Sequence, residues 1–245
     1  MKKIFKLLPV SVFDFPGLEL WLGQMANEGL FPVKIRSPLA VFTRTGTPGT
    51  RFRVEPCGTE VYDGVGPDQD KRDLYRGFGW ELAFAFHNDG NVLALFYTAT
   101  PSAPELYTDL SAQAATLEPM LDHFRRKLRQ MLYLAPLLIL LFPHSRLGSR
   151  IRIFSSRFLD IHDIYEKATL PFFIAAIVLF YIGISELLRD YTALSQVQKQ
   201  MAQGVQPTPR GPSRRYLLFS LFNLLVCLVF LLLLILSGLS LIFSL

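Results

Sequence analysis

An α+β head followed by a region of about three transmembrane helices is the fold class this sequence predicts. Three observations predict it. Within residues 1 to 109, several segments alternate apolar and polar side chains with the period of a half-buried strand. Two helical patterns in the same stretch, at "MANEGLFPV" and "RGFGWELAF", end on a glycine followed by a large apolar residue. The rest of the chain holds apolar runs near 130–145, 168–188 and 216–237. Composition agrees, with 51% hydrophobic residues in a chain of 245 and a mean hydropathy of +0.31.

The opening "MKKIFKLLPVSVFDF" mimics a signal peptide, but Lys6 interrupts it and no small-residue cleavage site follows, so it reads as a first strand. Asp14 then caps a helix whose first turn accepts Pro16 and whose apolar stripe is Leu18, Trp21, Leu22 and Met25. Gly29 supplies the left-handed residue that stops it, and Leu30 or Phe31 folds back on the last turn. A strand follows, with Phe31, Val33 and Ile35 on one face and Pro32, Lys34 and Arg36 on the other. Phe52 and Val54 alternate with Arg51, Arg53 and Glu55 in the next strand.

The pattern then repeats less cleanly. Asp68 caps a short helix with Leu74, Tyr75 and Phe78 as its stripe, Gly79 stops it, and Trp80 is the apolar follower. Trp80, Leu82, Phe84 and Phe86 form the inner face of a strand whose other face carries Glu81 and His87. The Asp-Gly pair in "HNDGN" marks a tight hairpin into Val92–Tyr97, which is apolar on both faces and belongs at the centre of a sheet. The expected head, residues 1–109, is thus a small antiparallel sheet with two helices in a repeated strand-helix-strand-strand order.

Residues 110–129 read as a connecting helix, capped by Asp109 and kinked or restarted at Pro119, with Leu110, Ala114, Leu117, Leu121, Phe124 and Leu128 along one side. The remaining 130–245 read as a membrane region. The 16 uncharged residues from Gln130 to Ser145 cover about 24 Å, short for a bilayer core. The run from Tyr216 to Leu236 holds 17 Leu, Ile, Val or Phe residues and carries Asn223 as a candidate polar contact between helices. Before it, 203–215 is a Pro/Gly-rich, solvated linker.

Charge is divided unevenly. Residues 1–109 hold 11 Lys and Arg against 13 Asp and Glu, or −2, and residues 110–245 hold 14 against 7, or +7. Arg125, Arg126, Lys127, Arg129, Arg214 and Arg215 flank the apolar runs, where anionic lipid accounts for them, so the basic pI does not argue for nucleic acid. With Arg189, Lys199 and Arg210 they make nine basic residues on one side, against Arg146, Arg150, Arg152, Arg157 and Lys167 in the other loop, a bias that places the head in the cytoplasm of a multi-pass plasma-membrane protein. Cys57 and Cys227 cannot form a plausible pair, which suits a reducing compartment.

The catalytic inventory is thin: no glycine-rich phosphate loop, serine elbow, paired cysteines or His-Glu metal motif is present. His162 with Glu166, near Asp160 and Asp163, lacks a second histidine at ligand spacing. Asp63, Asp68, Asp70 and Asp73 lack calcium-loop spacing, and Trp21 and Trp80 sit at core positions. No catalytic residue, metal or cofactor is expected.

At "WLGQMANEGL", "RGFGWEL" and "PELYTDL" the chain resembles an uncharacterised bacterial family catalogued as domain of unknown function number twenty-eight-twelve. The resemblance covers roughly residues 1 to 110, with Leu30 in place of the family's usual aromatic. It brings no catalytic residues, and implies membrane-linked sensing beside PadR-type transcription regulators. The function expected is a membrane-anchored cytoplasmic sensing or regulatory binding module acting through a ligand or protein partner. A structural accessory subunit of a membrane complex is the alternative. Its expected partners are the lipid bilayer and a regulator or membrane complex, with homo-oligomers allowed and nucleic acid excluded.

Overall fold

The computed structural model describes residues 2–58, 66–106, 109–140, 161–209, 216, 218–223 and 225–228, with backbone alone over 134–140 and 161–176. It divides into two compact units, Met1–Arg126 with Leu188–Ser220 and Lys127–Leu187 with Leu221–Leu245.

The first unit contains two copies of one strand-helix-strand-strand pattern. The first copy is β1 (Ile4–Leu7), α1 (Phe15–Asn27), β2 (Phe31–Arg36) and β3 (Leu39–Thr43). The second is β4 (Arg51–Gly58), α2 (Gln69–Gly77), β5 (Glu81–Asn88) and β6 (Asn91–Thr98). Each copy makes its own antiparallel three-stranded sheet with its last strand in the middle, β1-β3-β2 and β4-β6-β5. The single sheet expected from sequence is therefore two. Phe31 joins them, with ring centroids 6.0 Å from Phe52 and 5.0 Å from Tyr97.

The two helix ends share one hydrogen-bond pattern. Leu30 N–H bonds to Met25 O and Gly29 N–H to Ala26 O, both at 2.9 Å, and Trp80 and Gly79 bond to Tyr75 O and Arg76 O at the same distance. Gly29 and Gly79 have φ of 79° and 81°, the left-handed conformation that closes such a cap. Each following strand then bulges at its third residue, Val33 in β2 and Ala83 in β5. The bulge corrects the alternation expected for β2: Pro32 and Ile35 are buried, and Val33 faces out.

The expected stripe on α1 is buried at Leu18, Trp21, Leu22 and Met25, and Asp14 caps it by accepting from Gly17 N–H at 3.3 Å. On α2 only Tyr75 is buried; Leu74 and Phe78 are exposed, and Asp68 stands at the cap position without a side-chain bond. The Asp89-Gly90 turn has positive φ at both residues, as a two-residue hairpin with this twist requires. β6, apolar on both faces, is the central strand it was expected to be.

Asp109 caps α3 (Leu110–Thr116) through Ser111 and Ala112 N–H, and the chain restarts as α4 (Glu118–Leu140) with Pro119 in its first turn. Leu117, Met120, Leu121 and Phe124 are buried, and Phe124 meets Phe13 edge to face at 4.9 Å. A further helix, α5, runs from Ile161 to Ala202. Its final turns return to the first unit, where Asp190 accepts from Ser11 Oγ at 2.7 Å and Leu194 is fully buried.

The membrane expectation needs correction. Among the described residues, no helix is long and apolar enough to cross a membrane. The expected second span, 168–188, continues without a break into a charged helix: every 18-residue window of α5 over 177–202 contains Glu186, Arg189 and Asp190. In α4 the described side chains include Glu118, Asp122, Arg125, Arg126, Lys127 and Arg129. The end of the 130–145 run and half of 216–237 lie outside the described residues. The multi-pass plasma-membrane assignment, and the cytoplasmic placement of the head that rested on it, are withdrawn.

Within the second unit, Asn223 is buried with its Nδ2 3.5 Å from Glu186 Oε1 on α5.

Candidate functional site

Residues Arg51, Arg53 and Glu55 alternate along β4, so their side chains share a face, while Phe52 and Val54 are buried on the other. Trp80, placed by the α2 cap, lies on the arginine face. It is 0% exposed, and its indole N–H donates to Pro104 O at 2.8 Å. The Arg51 and Arg53 guanidinium carbons lie 5.3 and 5.9 Å from its ring centroid, so two cations rest on one aromatic plate.

Two carboxylates meet these arginines. Glu19, on the side of α1 that faces β4, accepts from Val54 N–H at 2.8 Å and from Arg53 Nη1 at 2.7 Å. β4 is an edge strand, and Glu19 satisfies an outward amide that would otherwise invite another strand. Glu105, in the connection between β6 and α3, accepts from Arg51 Nη1 at 3.1 Å, from Arg53 Nε at 3.0 Å and from Arg53 Nη2. Arg51 also donates to Ala103 O and Thr100 O.

These groups line a cleft of about 500 Å³. Phe15, Leu20, Leu106, Leu110, Met201 and Pro207 give it apolar walls, so α1 of the first repeat, β4 of the second and the turn after α5 all contribute. That turn repeats the helix stop seen twice before, with Val205 N–H on Gln200 O and Gly204 N–H on Met201 O at 2.9 Å.

Burial dominates Glu19 and pushes its carboxyl up to about 7, against the pull of Arg53 and the Val54 amide, with Glu55 adding to the rise. Burial acts on Arg53 in the opposite sense, but Glu19 and Glu105 outweigh it and its pKa is raised. The guanidinium stays charged, so proton exchange in this pair falls on Glu19. Next along β4, the buried Glu55 pairs with Lys71 of α2 at 3.4 Å.

The residues singled out from sequence lie elsewhere. Arg125 bonds to Glu118 at 2.7 Å and Asp122 at 2.8 Å, with Tyr191 as a further partner, and Glu118 also accepts from Gln198. These contacts fasten α4 to the end of α5 within the first unit. Arg126 and Arg129 are exposed, and Lys127 is half-buried. Arg214 and Arg215 lie outside the described residues, as do Asp63, His144, Asp160 and the side chains of His162, Asp163 and Glu166. His87 is exposed, and His123 Nε2 sits 3.1 Å from Asp89 O. Cys57 and Cys227 are both free, and burial pushes the Cys57 thiol up to about 11, which makes it a poor nucleophile.

Sequence reasoning missed Glu19, Arg51, Arg53 and Glu105. The available signal was the Arg-x-Arg-x-Glu alternation on β4. No family model matches this chain, and no curated protein or solved structure is significantly similar to it.

Proposed function

We propose that the first unit is a regulatory binding module: its cleft captures a ligand, and capture alters the engagement of a protein partner. The observation that supports this most is that Glu19, Arg51, Arg53 and Glu105 are all bonded to one another or to backbone within the cleft. Glu19 has the protonation range of a general acid or base, yet both its oxygens are held by Val54 N–H and Arg53, which suits positioning better than proton transfer to a substrate. The Thr50 hydroxyl is likewise committed, to Thr47 O at 2.6 Å. Volumes of this size, with apolar walls and a few convergent polar groups, suit a small molecule. The resemblance of residues 1 to 110 suggests a transcription regulator of the PadR type as the partner.

The test is thermal melting of the full-length protein with neutral, cationic and anionic small amphiphiles. At least one class should raise Tm by several degrees, since ligand at about 100 times Kd adds roughly 2.7 kcal/mol to stability. Leu20→Glu, on the cleft wall, should abolish the rise. A flat response from every probe would overturn the proposal.

A further inference from the structure

We infer that the Arg51–Arg53 pair is a carboxylate receptor, that Glu105 occupies it as a built-in stand-in, and that the ligand is a small apolar molecule ending in a single carboxylate. This rests on the cleft being a binding site and adds the chemical class of what it binds.

The two ends of the Arg53 fork do different jobs. Nη1 is held by Glu19, which is itself fixed by a backbone amide and 13% exposed. The Nε and Nη2 edge closes on a single Glu105 oxygen, Oε2. Arg51 reaches the other Glu105 oxygen through Nη1, so both guanidinium groups converge on one carboxylate. Trp80 lies within cation–π reach of both guanidinium groups, a support independent of that carboxylate.

Glu105 is the least fixed member. Its side chain is 45% exposed, and it stands in a connection without regular secondary structure. The pair also has a demand that Glu105 leaves unmet, because Arg51 Nε is buried without an acceptor. An incoming carboxylate can take over both guanidinium contacts as Glu105 turns to solvent. With Glu105 turned away the two arginines outnumber Glu19, so the cleft carries a positive surplus that an anion answers, and a planar carboxylate is the head group that repeats the contacts Glu105 makes. The apolar walls at Phe15, Leu20, Leu110 and Met201 then receive the rest of the molecule.

The experiment is calorimetric titration of the full-length protein with octanoate, octyl phosphate, octanol and octylamine, alongside Glu105→Gln and Arg51→Gln. Octanoate should bind at least about tenfold tighter than the other three, because charge-assisted contacts from two guanidinium groups are worth more than about 1.4 kcal/mol. Glu105→Gln should tighten octanoate several-fold, since it removes an internal competitor that taxes the free state. Arg51→Gln should weaken octanoate and leave octanol unchanged. Melting curves establish that each variant folds.

Equal binding of octanol and octanoate, or no gain in Glu105→Gln, would overturn the carboxylate receptor while leaving the cleft a binding site. Binding by none of the four probes would overturn both. A peptide that binds only with a free C-terminus, with octanoate inert, would replace the small molecule by a protein tail and also overturn the inference.

Discussion

The two repeats of the first unit share a strand order, a helix stop and a bulge, with the stopping glycines at 29 and 79, fifty positions apart, yet they do different work. In the first, α1 buries seven of its 13 residues and its follower Leu30 joins the core. In the second, α2 buries only Tyr75, and its follower Trp80 becomes the plate beneath two arginines. A helix stop fixes the backbone path and places one apolar side chain. What that side chain supports is decided by the strand it lands on.

The largest expected effect separates the followers. Trp80→Ala should cost about 4 kcal/mol in urea unfolding and release both arginines, and Leu30→Ala should cost about 3 kcal/mol without touching the cleft. A larger loss at Leu30 would break the contrast.

The next concerns the charges each helix sends to β4, Glu19 from α1 and Lys71 from α2. Unfolded, Glu19 loses its proton near the ordinary 4.5; folded, it keeps it to about 7. The native state therefore holds more protons between these values, and stability falls as pH rises through that window, by on the order of 3 kcal/mol in all, with no further contribution above it. Comparing the pH-stability curves of the native chain and Glu19→Gln isolates this slope. Equal slopes would show that Glu19 titrates normally.

Smaller effects test the shared code. Gly29→Ala and Gly79→Ala should each cost about 1–2 kcal/mol, from the positive φ alone, because a Cβ meets nothing within 4 Å at the first and only the Ala103 Cβ at 3.7 Å at the second. Unequal costs in thermal melts would mean the caps are not equivalent. Smallest is the N-cap pair: Asp14→Ala should cost about 1 kcal/mol, and Asp68→Ala, which breaks no cap bond, less than about 0.5 kcal/mol.

Much of the fold was legible because its signals are local. Glycine then apolar residue, Asp before Pro16, and Asp89-Gly90 each act within a few residues. The alternation at Phe31, Val33 and Ile35 failed because a bulge inserts one residue without changing composition. The division into two sheets was not legible, since the same order of elements fits one. The apolar run at 168–188 does not stand alone: α5 continues past it through Glu186, Arg189 and Asp190, a continuation that an apolar window by itself does not report. The cleft was invisible for a different reason. Glu19, Arg51, Arg53 and Glu105 each read as solvated surface alone, and only the crossing of α1 over β4 gathers them.

A further close approach ties these halves together. Gly46 N–H bonds to Gly29 O at 3.0 Å, and a Cβ at Gly46 would stand 2.6 Å from the backbone of Leu30. The connector between the repeats is stitched to the end of α1, while the face of that helix lies on the other repeat's strand. Neither half is a detachable module: the repeated pattern closes as a clasp, and cutting it at the seam would leave two pieces, each missing the surface on which it closes.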